Sequence, residues 1–373
     1  MTDQMVSGLL AVFGGGVASV LLFVPIVAIS YRRRGRAGFW WLVGWVAMLV
    51  YVVALWTYTL LPLPASEEFR CAAPQLVPFD SVRDIVNYPS GSAPELIRNP
   101  AVQQILLNVA LFVPLGFFTR AMFRRGLVVA TLGGFLASLL IELTQVTGVW
   151  GLFHCAYRFF DVDDLMANTL GALLGSLLAL LVVRRSAAVD ASLPTPVTAG
   201  RRFLGMLSDW MILGFVGGAI VLAWRILGTL FWGLDPAAMQ PDWVAALAVW
   251  LPLGAQLVSV LTGGATLGER VVLLRTEADG LPAWLGRPLR FLFGIGGYGL
   301  LMAWSHPASG PALSLFVLGS VIAVWATRDR RGLACVLSGS RVRDRRGPES
   351  PAPPIAAPSF VPTPPSPPEP PRA

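Results

Sequence analysis

Leu127 to Thr147 reads LVVATLGGFLASLLIELTQVT, 21 residues with one acid, Glu142, and no base. At a rise of about 1.5 Å per residue, a helix of that length reaches across a hydrocarbon layer of about 30 Å. In lipid every backbone N–H and C=O must be satisfied within the segment, so such a block is read as a helix. Blocks of the same kind recur along the 373 residues. We place nine spans, at 6–30, 39–61, 103–122, 127–147, 164–183, 207–230, 243–262, 291–305 and 311–327. The expected fold class is therefore all-α, a polytopic transmembrane helix bundle of about nine spans in two modules of five and four. The short alternating segments of a membrane barrel are missing from the pattern.

Composition agrees. Hydrophobic residues make up 55% of the chain and charged residues 13%, where soluble domains carry about a quarter charged. All 28 basic residues are arginine, a weak sign of a GC-rich genome. With no lysine, a Walker A loop, a Schiff base and a kinase strand lysine are excluded. The two histidines, His154 and His306, lie too far apart in sequence for an HExxH zinc site. No cofactor and no metal is expected.

Loops on the cytoplasmic side carry the excess of positive charge. Arg32, Arg33, Arg34 and Arg36 follow the first span, and Arg120, Arg124 and Arg125 lie between the third and fourth. Arg184, Arg185, Arg201 and Arg202 precede the sixth, and Arg270, Arg275, Arg287 and Arg290 follow the seventh. Nine spans put all of these, and the arginines after Thr327, on one side; the opposite loops hold Arg70, Arg83, Arg98 and Arg158. The N-terminus is expected outside and the C-terminus inside. Eight spans would send the last arginine cluster outside. Met1 to Ser7 has no basic residue, so a cleaved signal peptide is not expected.

Residues 1–185 and 201–342 form two transmembrane modules, joined by a small, polar, proline-containing linker at 186–200. The tail from 343 to 373 holds twelve prolines from Pro348 onward and is expected to be disordered with polyproline-II character. Such a tail is a candidate ligand for a cytoplasmic partner, and equally a plain solvated tail. Cys71 and Cys155 fall in outer loops and are candidates for a disulfide, with two free thiols as the alternative.

Polar groups inside spans are costly and usually face a cavity or a partner. Glu142 and Gln145 share a face near the outer end of the fourth span. Asn108 lies near the outer end of the third. The fifth opens with Asp161, Asp163 and Asp164, with Asn168 one turn on. Arg158 sits just above, available to pair with carboxylates. These eight residues form a candidate outer polar cluster. Simpler readings stay open: Asp161 and Asp163 as helix caps, Glu142 locked to Arg158, and Asn168 with Gly171 and Gly175 as a helix-packing face. On the inner side Arg202 and Asp209, two turns apart, form a candidate pair; an interfacial anchor beside a satisfied aspartate is the plainer alternative.

The run Asn108-Val-Ala-Leu-Phe-Val-Pro114-Leu-Gly116, then Glu142-Leu-Thr-Gln145, Arg158-Phe-Phe-Asp161-Val-Asp163-Asp164, Asn168-Thr-Leu-Gly171 and Gly175, closely resembles the signature of VanZ-like proteins over residues 40–183. A departure is the extended segment from Gln145 to Arg158, which holds His154 and Cys155. The resemblance implies a bacterial envelope membrane protein, some of whose relatives contribute to resistance to glycopeptides such as teicoplanin. Residues 199–342, with Arg202, Asp209, Gly264-Ala-Thr266-Leu-Gly268-Glu269-Arg270 and Asp279-Gly280, resemble the RDD family. There the family's usual lysine is Glu269, and its late histidine–aspartate pair is replaced around Ala334 and Cys335.

The function expected is that of a multi-pass cell-membrane protein of the envelope, contributing to tolerance of teicoplanin-type drugs through its outer cluster. Two alternatives are a transporter or ion-coupled permease and a membrane enzyme acting on an envelope precursor. The partners implied are the lipid bilayer and an envelope component or glycopeptide-type ligand. Nucleic acid is not expected, because the net charge of +7 follows the membrane's inner face.

Overall fold

The structure is a computed structural model that describes residues 3–64, 69–88, 92–182, 190–233 and 241–347. Linker residues 186–189, Arg184, Arg185 and the proline-rich segment from Pro348 lie outside the described residues. The first half runs α1 (Asp3–Leu21), α2 (Phe23–Arg34), α3 (Phe39–Leu60), α4 (Asp80–Asn87), α5 (Ala93–Arg98), α6 (Pro100–Ala121), α7 (Leu127–Val146), a single turn α8 (Gly148–Gly151) and α9 (Val162–Val182). The second runs α10 (Ala199–Trp232), α11 (Asp242–Gly263), α12 (Leu267–Val271), β1 (Leu274–Ala278), α13 (Ala283–Leu292), α14 (Ile295–Ala303), α15 (Ser309–Ala326), α16 (Gly332–Leu337) and β2 (Ser340–Asp344). The chain is an all-α, multi-pass membrane protein, with one two-stranded antiparallel sheet among the described residues.

Seven helices, α3, α6, α7, α9, α10, α11 and α15, are long and apolar enough to cross a membrane. The pair α1 and α2, bent by 59°, makes an eighth. The bend has a covalent cause: Pro25 has no N–H, and its ring crowds the carbonyl of Leu21 four residues back. Where the sequence predicts the eighth of its nine spans, at 291–305, the segment instead breaks at Gly294 into α13 and the nine-residue α14. Gly294, Gly296, Gly297 and Gly299 weaken the helix there, and α14 is only about 13 Å long.

The side of the final arginines does not depend on that count. β2 pairs antiparallel with β1, Thr276 opposite Val342, and Arg345 N–H donates to the Leu273 carbonyl at 2.8 Å. The tail is thereby held on the face from which α14 and α15 depart. Arg34 on the same face donates to the Met122 carbonyl at 3.1 Å. The two halves share a core at this arginine-rich face: Val27 and Tyr31 of α2 pack with Val272, Leu274, Cys335 and Val342. The linker residues that are described are not loose, since Arg346 donates to Ala191 O at 2.7 Å and Thr195 N–H to Asp344 at 2.9 Å.

In the first half, α6 and α9 lie backbone to backbone. A Cβ at Gly171 would meet the Val109 carbonyl at 2.2 Å, and one at Gly175 the Val113 carbonyl at 1.8 Å. Gly116 returns the fit against Ala172 of α9. Close approach of small residues drives helix association in lipid, where apolar area gives no preference for protein over tails. Gly175→Val is expected to destabilise the first half by about 1–3 kcal/mol through overpacking. Gly133→Val, at a position with open space, is the control. Thermal unfolding in detergent checks this, and equal midpoints for the two variants would contradict it.

Candidate functional site

The outer site is assembled where the long loop after α3 meets the loop before α9. Cys71 and Cys155 are joined by a disulfide, 84 residues apart in sequence. Beside it Ala72 N–H donates to Ala156 O, Gln75 N–H to Phe160 O, and Val162 N–H back to Gln75 O. The loops are thus zipped in parallel into the mouth of α9. His154 lies close to both sulfurs, but the disulfide occupies them, and its ring packs tilted against Phe69 with centroids 4.9 Å apart.

Several expected members of the cluster turn out to hold backbone. Asp163 accepts from the N–H groups of Phe79 and Ser81 at 2.7 and 2.8 Å, which fastens the start of α4. Gln145 donates to the Thr59 carbonyl at 2.8 Å and Arg158 to the Leu61 carbonyl at 2.9 Å, satisfying the exposed end of α3. Arg158 therefore makes no lock with Glu142 among the described residues, one of the readings the sequence left open; the carbonyl at the end of α3 is the acceptor it meets. Asn168 donates to Ser138 Oγ at 2.9 Å, and its Oδ1 is buried without a partner.

The remaining three carboxylates converge. Glu142 Oε2 accepts the Asp161 N–H at 3.1 Å. Asp164 Oδ1 accepts from Gln104 at 2.9 Å and from Asn108 at 2.5 Å. Asp161 Oδ1 accepts the Asp163 N–H at 2.9 Å, the cap expected of the first residue before a helix. Burial first, and the neighbouring charges of Asp163 and Asp80, push the Asp161 carboxyl up, against hydrogen bonds from the N–H groups of Asp163 and Asp164. Glu142 lies within electrostatic reach of Asp161, Asp164 and Arg158. Among the described residues, Glu142 Oε1 and Asp164 Oδ2 receive no donor.

Such a site can accept hydrogen bonds from, and attract, a cationic or amide-bearing group. It offers no nucleophile beside a base. Gln104 is the member that the sequence reading misses, although its spacing of four from Asn108 on α6 already marks a shared face.

The inner residues do not pair as expected. Arg202 turns to Glu269, which also takes Arg290, and all three are buried. Asp209 is instead ringed by donors: Gln256 at 2.7 Å, Thr266 Oγ1 at 2.6 Å and Gly268 N–H at 2.6 Å. Two turns of helix bring Arg202 and Asp209 onto one face but leave them about 10 Å apart along the axis, and α12 fills the gap with partners for both. Gly268 is tight against Asp209, with its Cβ position 2.7 Å from the carboxyl carbon. Gln256, in mid-span of α11, is the sequence signal for this knot.

No curated protein and no solved structure matches the chain. Residues 48–183, which hold every member of the outer cluster, match the VanZ/LLP1 family model, and this part of the chain is VanZ-like.

Proposed function

We propose that this chain is a cell-membrane protein of the bacterial envelope that alters how the outer surface meets glycopeptide-type compounds such as teicoplanin, by binding rather than by catalysis. The observation that carries this reading is the convergence of Glu142 and Asp164, each keeping one undonated oxygen, inside the VanZ-like segment. Their face is opposite the arginine-rich one, and so outside by the charge bias. The motifs of residues 199–342 support an RDD-like second module, held to the first at the arginine-rich face.

Transport has less support, because the carboxylate of Asp209 is spent on three donors and, among the described residues, no chain of acids links it to the outer site. An enzyme acting on an envelope precursor has less still, since no nucleophile stands beside a base among the described outer residues and His154 packs against Phe69. A cytoplasmic partner for the tail concerns residues outside the described ones.

The test is the inhibitory concentration of teicoplanin in a susceptible host expressing equal amounts of the intact chain, Glu142→Gln or Asp164→Asn. Both variants keep an oxygen for the existing donors and lose the charge. The intact chain is expected to raise tolerance. Each variant is expected to lose at least about tenfold in ligand affinity, the worth of one charged hydrogen bond, and to bring tolerance back towards that of the empty host. Tolerance unchanged by the intact chain would sink this function. Variants as protective as the intact chain would remove the site from it.

A further inference from the structure

A cleft of about 710 Å³ opens at the arginine-rich face, on the seam between the two halves. Arg32 from the end of α2 lines it, together with Arg270 of α12 and with Arg345 and Arg346 after β2. The rest of the lining is apolar and includes Leu267 of α12 and Ile212 of α10. Ile212 is ten residues along α10 from Arg202, about 15 Å nearer the middle of the hydrocarbon layer.

The two acids that adjoin these arginines in the chain are already committed. Asp344 is held by Arg201 and Arg346, and Glu269 by Arg202 and Arg290. That accounts for Arg346 but leaves Arg32, Arg270 and Arg345 without a carboxylate in ion-pair distance among the described residues. Arg270 donates once, to Ser259 O at 3.0 Å, and its Nε is buried with no partner. Arg32 and Arg345 are exposed at the rim. Three uncompensated guanidiniums around one opening repel each other, and a guanidinium fork matches the oxygens of a phosphate. A small soluble phosphate would answer the charge and leave the wall of Leu267 and Ile212 wet. A phosphate carrying a hydrocarbon chain answers both.

We propose that this cleft binds an anionic phospholipid of the leaflet at the arginine-rich face, its phosphate between Arg32, Arg270 and Arg345 and an acyl chain against Leu267 and Ile212. Because Arg32 belongs to the first half and the other two to the second, the lipid ties the halves together across their shared core. This site is independent of the outer cluster and of any drug phenotype.

The experiment uses the full chain, purified in neutral detergent and stripped of lipid, with phosphatidylglycerol or phosphatidylcholine added and bound lipid counted by native mass spectrometry. The intact chain is expected to retain phosphatidylglycerol over phosphatidylcholine. In Arg32→Gln/Arg270→Gln/Arg345→Gln that preference should fall at least about tenfold, each arginine contributing to attraction for an anionic surface. The same three changed to lysine should keep most of it. Arg33→Gln/Arg36→Gln, which removes exposed charge from the same face outside the cleft, should leave it intact. Inorganic phosphate should neither compete nor raise the melting temperature. Should the triple glutamine variant not fold, Arg32→Gln/Arg345→Gln reads the same preference from two rim positions. The proposal is overturned if the glutamine variants keep the preference, if the Arg33/Arg36 control loses it equally, or if inorganic phosphate stabilises as well as the lipid does.

Discussion

Glu269→Ala is expected to cost about 3–5 kcal/mol of stability, because it leaves Arg202 and Arg290 buried with no counter-charge. Both guanidiniums point at the one carboxylate, and Arg290 also donates to the Gly264 carbonyl that ends α11. Glu269 further closes a capping box with Thr266, so α12 loses its start as well. The measurement is thermal or denaturant unfolding of the purified chain in detergent, and a loss under about 0.5 kcal/mol, the size of an ordinary surface change, would contradict the account. Replacing Arg202, Glu269 and Arg290 together by methionine should recover much of the loss, since a buried ion triad is often no better than well-packed apolar groups.

The same group sets a pH dependence. Burial raises the Glu269 carboxyl, but the charges of Arg290 and Arg202 outweigh it and hold the group at about 2. An acid whose folded value lies below its unfolded value of about 4.3 contributes stability that is complete above the unfolded value and is lost as pH falls through the folded one. The intact chain should therefore weaken between about pH 4.3 and 2, and Glu269→Ala should show less of that slope. Asp344 is also held far below its usual range: burial raises it, and hydrogen bonds from Arg346 and Arg201 outweigh that. Its contribution fades with acid too, so the variant's smaller slope, rather than the slope itself, identifies Glu269.

The second large effect is expected at the outer loops. Cys71→Ser or Cys155→Ser removes a link that closes 84 residues. A loop of that length is worth about 4.6 kcal/mol in a free chain and about 2–4 kcal/mol in typical proteins. The lower part of that range applies here, because α6 and α7 stay inserted and limit the freedom regained. Either single variant should melt earlier by the same amount as the double. Intact chain should run faster on a gel without reductant and resist maleimide labelling at both outer positions until reduced. Labelling of both thiols before reduction would mean that they are not joined, and would remove the oxidising side as a reason for placing this face outside.

Lipid makes its demands on each segment taken alone, and those demands are legible along the chain. The apolar blocks are long enough to span and must be helices, which is why α3, α6, α7, α9, α10, α11 and α15 lie close to where hydropathy puts them. Gly171 and Gly175 were legible as a packing face from their spacing, and Asn108, Glu142 and Asp164 as polar groups at one depth. Residue depth follows from counting along a helix, so no tertiary information was needed for it.

The tertiary structure alone decided which group each charge meets. Arg158 went to a helix-end carbonyl instead of a carboxylate, Asp163 to the loop that starts α4, and Arg202 to Glu269 instead of Asp209. It also decided that 291–305 breaks at Gly294, that β1 and β2 pair with Glu277 opposite Arg341, and that the halves share one core and one basic cleft. Hydropathy and charge bias are sums along the chain and report only how a segment meets lipid or water. A hydrogen bond or ion pair is worth having only within about 3–4 Å, and which distant residues come that close is settled by the packing of helices against one another.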